Sequence, residues 1–240
     1  MSRYTAHTET AQQMSLIDIA TVVTVSLLGY VFEGIAIDQG WFPLGADARG
    51  VTGVMLGALA AIAVVFARGG SFVDLGFKRP ASWGKAFAQA LAVLIAFIAA
   101  QNLIPALLST FMTLPEPDFS RHAHVAGNLG AAIFMALVLP ITASIPEEII
   151  YRGFLIGRLT HLFGEHTTGA VLTVVVQALI FGSIHFEWGF GGMIMTFTMG
   201  LVWGTAYLLC NRNLWVVIMA HSGGHLLFVT QLYYAESMLF

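Results

Sequence analysis

Seven predominantly apolar runs, near positions 15–36, 51–68, 86–111, 128–163, 168–187, 190–210 and 213–235, set the terms on which this chain can fold. About 20 apolar residues in helical form cross the hydrocarbon core of a bilayer. Inside lipid every backbone N–H and C=O must be satisfied within the segment, which such runs achieve as helices. The expected fold class is therefore all-α, a polytopic transmembrane bundle of about seven spans. The rest of the composition agrees. The chain is 58% apolar and only 10% charged, against roughly 25% charged in soluble domains, so it cannot cover itself with polar surface.

The fourth run is too long for a simple crossing, and Pro140 and Pro146 are expected to bend it. No internal repeat or low-complexity stretch divides the chain. It reads as one membrane domain over 1–240, with N-terminal spans in 1–127 and a helical core in 128–235. In segment 69–85, Phe72, Leu75 and Phe77 alternate with Asp74, Lys78, Arg79 and Lys85, the pattern of an interfacial element lying on the membrane surface and broken at Pro80. The polar first 13 residues and Asp18 within the following run fit a cleaved signal peptide poorly, so the first span is expected to be retained.

Cys210 is the lone cysteine, which excludes an intrachain disulfide. A net charge of −3 and the lack of a basic block argue against nucleic acid as a partner. With the N-terminus cytoplasmic, Arg3, Arg68, Lys78, Arg79, Lys85, Arg158 and Arg212 fall inside, and Arg49 and Arg121 outside. That asymmetry predicts an N-in orientation in the cell (inner) membrane.

The costly residues are Glu147, Glu148 and Arg152, inside an otherwise apolar stretch. A charge at bilayer depth costs roughly 2.5–3.5 kcal/mol on insertion scales. Glu148 and Arg152, four apart on one helix, share a face and can pair. Glu147 points about 100° away from Glu148, which leaves it without an intrahelical cation and makes it the candidate for chemistry. The turn at 164–169 predicts a helical hairpin in which position 147 is level with His185. Phe181, one turn before His185, would form a dry wall beside it. The last run carries His221 and His225, four apart on one face with Gly223 and Gly224 between them.

One carboxylate and three imidazoles suit hydrolysis. A glutamate takes a proton from water, an imidazole shares or returns it, and further donors hold a tetrahedral oxyanion. No Gly-x-Ser-x-Gly elbow is present, and Cys210 has no histidine nearby in sequence, so a covalent route is not expected. Three Gly-x-x-x-Gly pairs, Gly53/Gly57, Gly153/Gly157 and Gly200/Gly204, suit packing within the monomer and a homo-oligomer equally. Asp18 and Glu33 lack evident partners in the sequence.

At Glu147-Glu148…Arg152, Phe181…His185 and His221…His225 the sequence resembles the CPBP family of intramembrane proteases, which includes the CAAX prenyl endopeptidases and the Abi-type proteins. The resemblance covers roughly 130–235 and extends to Tyr151-Arg152-Gly153 and the approach Leu214–His221. It implies a glutamate-dependent intramembrane endopeptidase. Glu147 and His185 would activate water, His221 and residue 225 would form the oxyanion site, and Glu148 and Arg152 would support them. The departure is His225, where the family's usual residue is asparagine. No cofactor is expected. The alternative is zinc held by Glu147, His185, His221 and His225. The expected substrate is a membrane-associated peptide or protein. Two other classes fit the same residues: a non-catalytic immunity or scaffold protein, and a small proton-coupled transporter.

Overall fold

A computed structural model describes residues 2–41 and 49–235, with side chains from Gln12 onward, so the side chain of Arg3 lies outside the described residues. The described residues form helices joined by turns. They are α1 (Ser2–Asp38), α2 (Val51–Ala67), α3 (Trp83–Leu108), the long interrupted α4 (Leu129–Phe163), α5 (Thr167–Ser183), α6 (Gly189–Leu209) and α7 (Leu214–Tyr234). Short 3-10 helices lie at Ser120–Val125 and Phe186–Trp188.

Among the described residues five candidate spans are long and apolar enough to cross a bilayer, in α1, α3, α4, α7 and the stretch Phe186–Leu209. The expectation of a helical membrane bundle is met, and the expected count of about seven spans is not confirmed. Helices α2 and α5 are apolar but have 17 residues each, a length of about 26 Å against a hydrocarbon core of about 30 Å.

Helix α4 is one continuous rod that widens twice. Leu129–Leu139 is α-helical, Pro140–Ser144 widens to a π turn, and Ile145–Glu148 returns to α. Ile149–Leu155 is again π, and Ile156–Phe163 completes the rod as α-helix. Proline has no N–H to continue the ladder, and the strand of hydrogen bonds is rephased as wide turns of the kind often found at functional sites. Pro140 opens the first π turn, and Pro146 lies in the short α turn that carries both glutamates.

Close backbone approaches hold the helices together. A Cβ on Gly53 would meet Ser26 of α1, one on Gly200 would meet Ala178 of α5, and one on Gly204 would meet Gln177. Gly57 lies against Ser26 and Ile150. Four of these glycines thus serve packing inside the monomer, as does Gly153, whereas Gly157 faces open space.

Segment 69–85 lies between α2 and α3 as a run of hydrogen-bonded turns that dock on the start of α7. Leu214 N–H donates to Gly76 O, and Phe77 meets the Trp215 ring at 5.4 Å. Leu75 is fully buried, because Gly153 leaves room for the Leu75 carbonyl to approach α4. Phe72, Val73, Lys78, Arg79 and Lys85 remain exposed. The hydroxyl and N–H of Ser71 both donate to Asp74 and hold its carboxyl below the usual carboxylate range.

Asp18 and Glu33 both have partners. Asp18 accepts from Arg68 at 2.8 Å and from Arg158 at 2.9 Å, joining α1 to the ends of α2 and α4. Glu33 accepts from the backbone N–H groups of Gly50 and Thr52, and so caps α2 from outside the helix. Partners so distant in sequence leave no local signal.

Candidate active site

The short α turn between the two π segments presents Glu147 and Glu148 at neighbouring positions of one rod, both buried. Arg152 donates from a guanidinium Nη to Glu148 Oε1 at 2.8 Å, with both side chains fully buried. The Arg152 guanidinium also lies 4.6 Å from the centre of the Phe181 ring. The i, i+4 pairing read from the sequence is present, and it is clamped from α5 by an aromatic face.

His221 of α7 joins the pair. Its Nδ1 is 2.7 Å from Glu148 Oε1, and its Nε2 is 3.8 Å from Glu147 Oε2. Glu148 therefore connects α4 to α7, while Glu147 makes no hydrogen bond among the described residues. His225 lies one turn further along α7, its ring 4.5 Å from that of His221. His225 Nδ1 meets the hydroxyl of Ser144 at 2.9 Å. His185 sits just beyond the last turn of α5, where its Nδ1 donates to Phe181 O at 2.7 Å. Its ring packs between Phe181 and Trp188, each 4.9 Å away.

One cavity of about 890 Å³ is lined by Glu147, His185, His221 and His225. The side chains predicted from the sequence thus border the same space, drawn from α4, α7 and the turn after α5. Glu148 and Arg152 stand behind it. Apolar residues such as Phe97, Phe134, Met195 and Phe228 form much of the remaining wall. At one edge Glu187 accepts from Tyr30 at 2.6 Å and from Arg121 at 2.9 Å, with Arg49 at 3.8 Å. Among the described residues no three His, Cys, Asp or Glu side chains converge closely enough to hold a metal ion.

Hydrogen-bond partners divide the imidazoles chemically. A carbonyl and a carboxylate bonded to arginine only accept. His185 therefore carries its proton on Nδ1, toward Phe181 O, and presents a basic Nε2. His221 likewise directs an Nδ1 proton at Glu148, so its Nε2 beside Glu147 accepts while the ring is neutral. His225 differs, because the hydroxyl at its Nδ1 can donate.

Sequence reasoning missed Ser144 and Trp203, both fully buried, and Glu187. Trp203 packs edge-on to His221 at 6.2 Å. Ser144 had a weak signal, a polar residue three positions before Glu147 in an apolar run, and so on nearly the same face.

Residues 129–227 match the family model described as Type II CAAX prenyl endopeptidase Rce1-like. This segment belongs to the CPBP/CAAX protease family. All of the candidate residues, from Glu147 to His225, fall within it. The comparisons with curated proteins and with solved structures returned no match. Together with the long apolar helices, the match of this segment to a CAAX-protease family points to an integral membrane protein.

Proposed function

We propose that the protein is an intramembrane endopeptidase that hydrolyses peptide bonds of membrane-associated substrates, with Glu147 as the general base. The observation that carries this reading is the cavity itself, lined by three imidazoles and a glutamate that has no hydrogen-bond partner among the described residues. Water in that space would give a proton to Glu147, while His185 Nε2 accepts its other hydrogen and orients it. The oxygen attacks the peptide carbonyl, and His221 and His225 border the side on which the oxyanion develops. Neutral His221 accepts at Nε2; it donates there once Glu147, 3.8 Å away, lends it the proton taken from water, and returns that proton to Glu147 as the oxyanion collapses. Glu147 then passes its proton to the departing amine as the C–N bond breaks. Glu148 and Arg152 keep His221 in place.

The reaction is proposed to need no metal, and no step runs through one. The apolar walls suit a substrate whose cleaved segment lies at or in the membrane. The N-terminus is proposed to be cytoplasmic. Consistent with the predicted two-sided distribution, Arg68 and Arg158 meet at Asp18, whereas Arg49 and Arg121 meet at Glu187.

Purified wild-type protein, Glu147→Ala and His185→Ala in proteoliposomes separate the readings. Cleavage of a peptide carrying a prenylated cysteine three residues from its end, lost in both variants at unchanged thermal stability, supports the protease. Loss of folding in both variants supports a packing role for the polar cluster. A pH-gradient-driven flux abolished by Glu147→Gln supports transport.

A further inference from the structure

We infer that Ser144 is a positioning residue that fixes His225 in the tautomer carrying its proton on Nε2, and so turns the family's asparagine position into a neutral hydrogen-bond donor. The oxyanion role of that donor rests on the protease reading above; the tautomer itself does not.

Ser144 is fully buried in the π turn Pro140–Ser144, and its hydroxyl oxygen is 2.9 Å from His225 Nδ1. Helical serines and threonines usually bond back to a carbonyl three or four residues earlier. Thr142, Thr160, Ser183, Thr196, Thr198 and Thr230 all do so here. Ser144 does not. Among the described residues its hydroxyl reaches no backbone carbonyl, and its one polar neighbour is His225 Nδ1. Donation to His225 Nδ1 therefore gives the buried hydroxyl hydrogen its partner. The reverse arrangement, Nδ1–H toward the hydroxyl oxygen, would leave that hydrogen unpaired.

With Nδ1 accepting, the proton resides on Nε2, which has no partner among the described residues on a ring that lines the cavity. His221 packs against the ring at 4.5 Å and restricts its rotation. The contrast with the other imidazoles is chemical. Phe181 O and Glu148 accept, and so place protons on Nδ1 of His185 and His221. A hydroxyl is amphoteric, and only it can set the opposite tautomer. An asparagine would carry its own donor and would need no such partner.

Two measurements test this. Nitrogen NMR of the full-length protein labelled in histidine, in micelles, reads the tautomer directly, with the His225 signals assigned by their loss in His225→Asn. The inference expects Nε2–H in the wild type and in Ser144→Thr, and a shift toward Nδ1–H or a tautomer mixture in Ser144→Ala. Nδ1–H in the wild type, or an unchanged tautomer in Ser144→Ala, would overturn it.

The second measurement is turnover of the prenylated peptide. Ser144→Ala should lower kcat about tenfold or more with KM little changed, short of the roughly 10²–10³-fold lost with a whole oxyanion donor. Ser144→Thr should restore it. In a His225→Asn background the same Ser144→Ala change should cost less than about twofold, since the asparagine donor is independent of the hydroxyl. An equal loss in both backgrounds would overturn the positioning role. Failure of the protease reading looks different: wild type and Glu147→Ala would be equally inactive, while the NMR result stands by itself.

Discussion

Nδ1 of His221 and Oε1 of Glu148, 2.7 Å apart, join the last helix to the long one at the back of the cavity. The same oxygen receives Arg152. Two adjacent glutamates therefore have opposite circumstances: Glu148 is fixed by a cation and an imidazole, and Glu147 is left to the cavity.

Glu147→Gln removes the proton acceptor but keeps the shape. Turnover should fall about 10²–10⁴-fold, with melting temperature in detergent changed little. A melting temperature that drops as far as for Arg152 variants would identify Glu147 as a packing residue.

Arg152→Met should behave in the opposite way. It leaves Glu148 buried without its cation, and breaking a buried pair costs about 3–5 kcal/mol. Denaturation in mixed micelles should show the protein strongly destabilised, with activity lost together with the fold. Replacing Glu148 and Arg152 together by glutamine and methionine should recover part of that stability.

The glycines of α4 give a paired test of packing. A Cβ on Gly153 would lie 2.7 Å from the Leu75 carbonyl oxygen, backbone that cannot yield cheaply. Gly153→Ala should destabilise by about 1–3 kcal/mol and loosen loop 69–85, measurable as faster hydrogen exchange there. Gly157 has nothing within 4 Å of its added Cβ, so Gly157→Ala should be neutral or stabilising by up to about 1 kcal/mol.

Asp18→Asn tests the junction at the opposite end from Glu187. Hydrogen bonds to charged groups contribute about 1.5–3 kcal/mol, reduced here because the side chain of Arg68 is 40% exposed. A loss of about 1–2 kcal/mol in stability with specific activity retained is the expected outcome. Lost activity at intact stability would mean that this junction communicates with the cavity.

Legibility followed the range of the interaction. The Glu148–Arg152 pair and the His221–His225 face could be read because helical spacing fixes them locally. Placing His185 beside the same cavity as Glu147 required only a hairpin count, since α4 and α5 are joined by the short turn at 164–166. Asp18 with Arg68 and Arg158, and Glu33 at the start of α2, depend on how α1 lies across the bundle, and no local pattern encodes that. The π turns of α4 were missed for a related reason. Proline marked where the ladder is interrupted but not whether the rod bends or widens there, and Ser144 reaches His225 from one of those widened turns.

The central claim is that Glu147 performs peptide hydrolysis within the membrane. Its most direct test is the set of new peptide termini in membranes of cells carrying wild-type protein, compared with membranes carrying Glu147→Ala at equal abundance. The account predicts termini from membrane-associated proteins that appear with wild type, vanish with Glu147→Ala, and persist when purified membranes are treated exhaustively with chelators. Identical termini in the two membranes would contradict it.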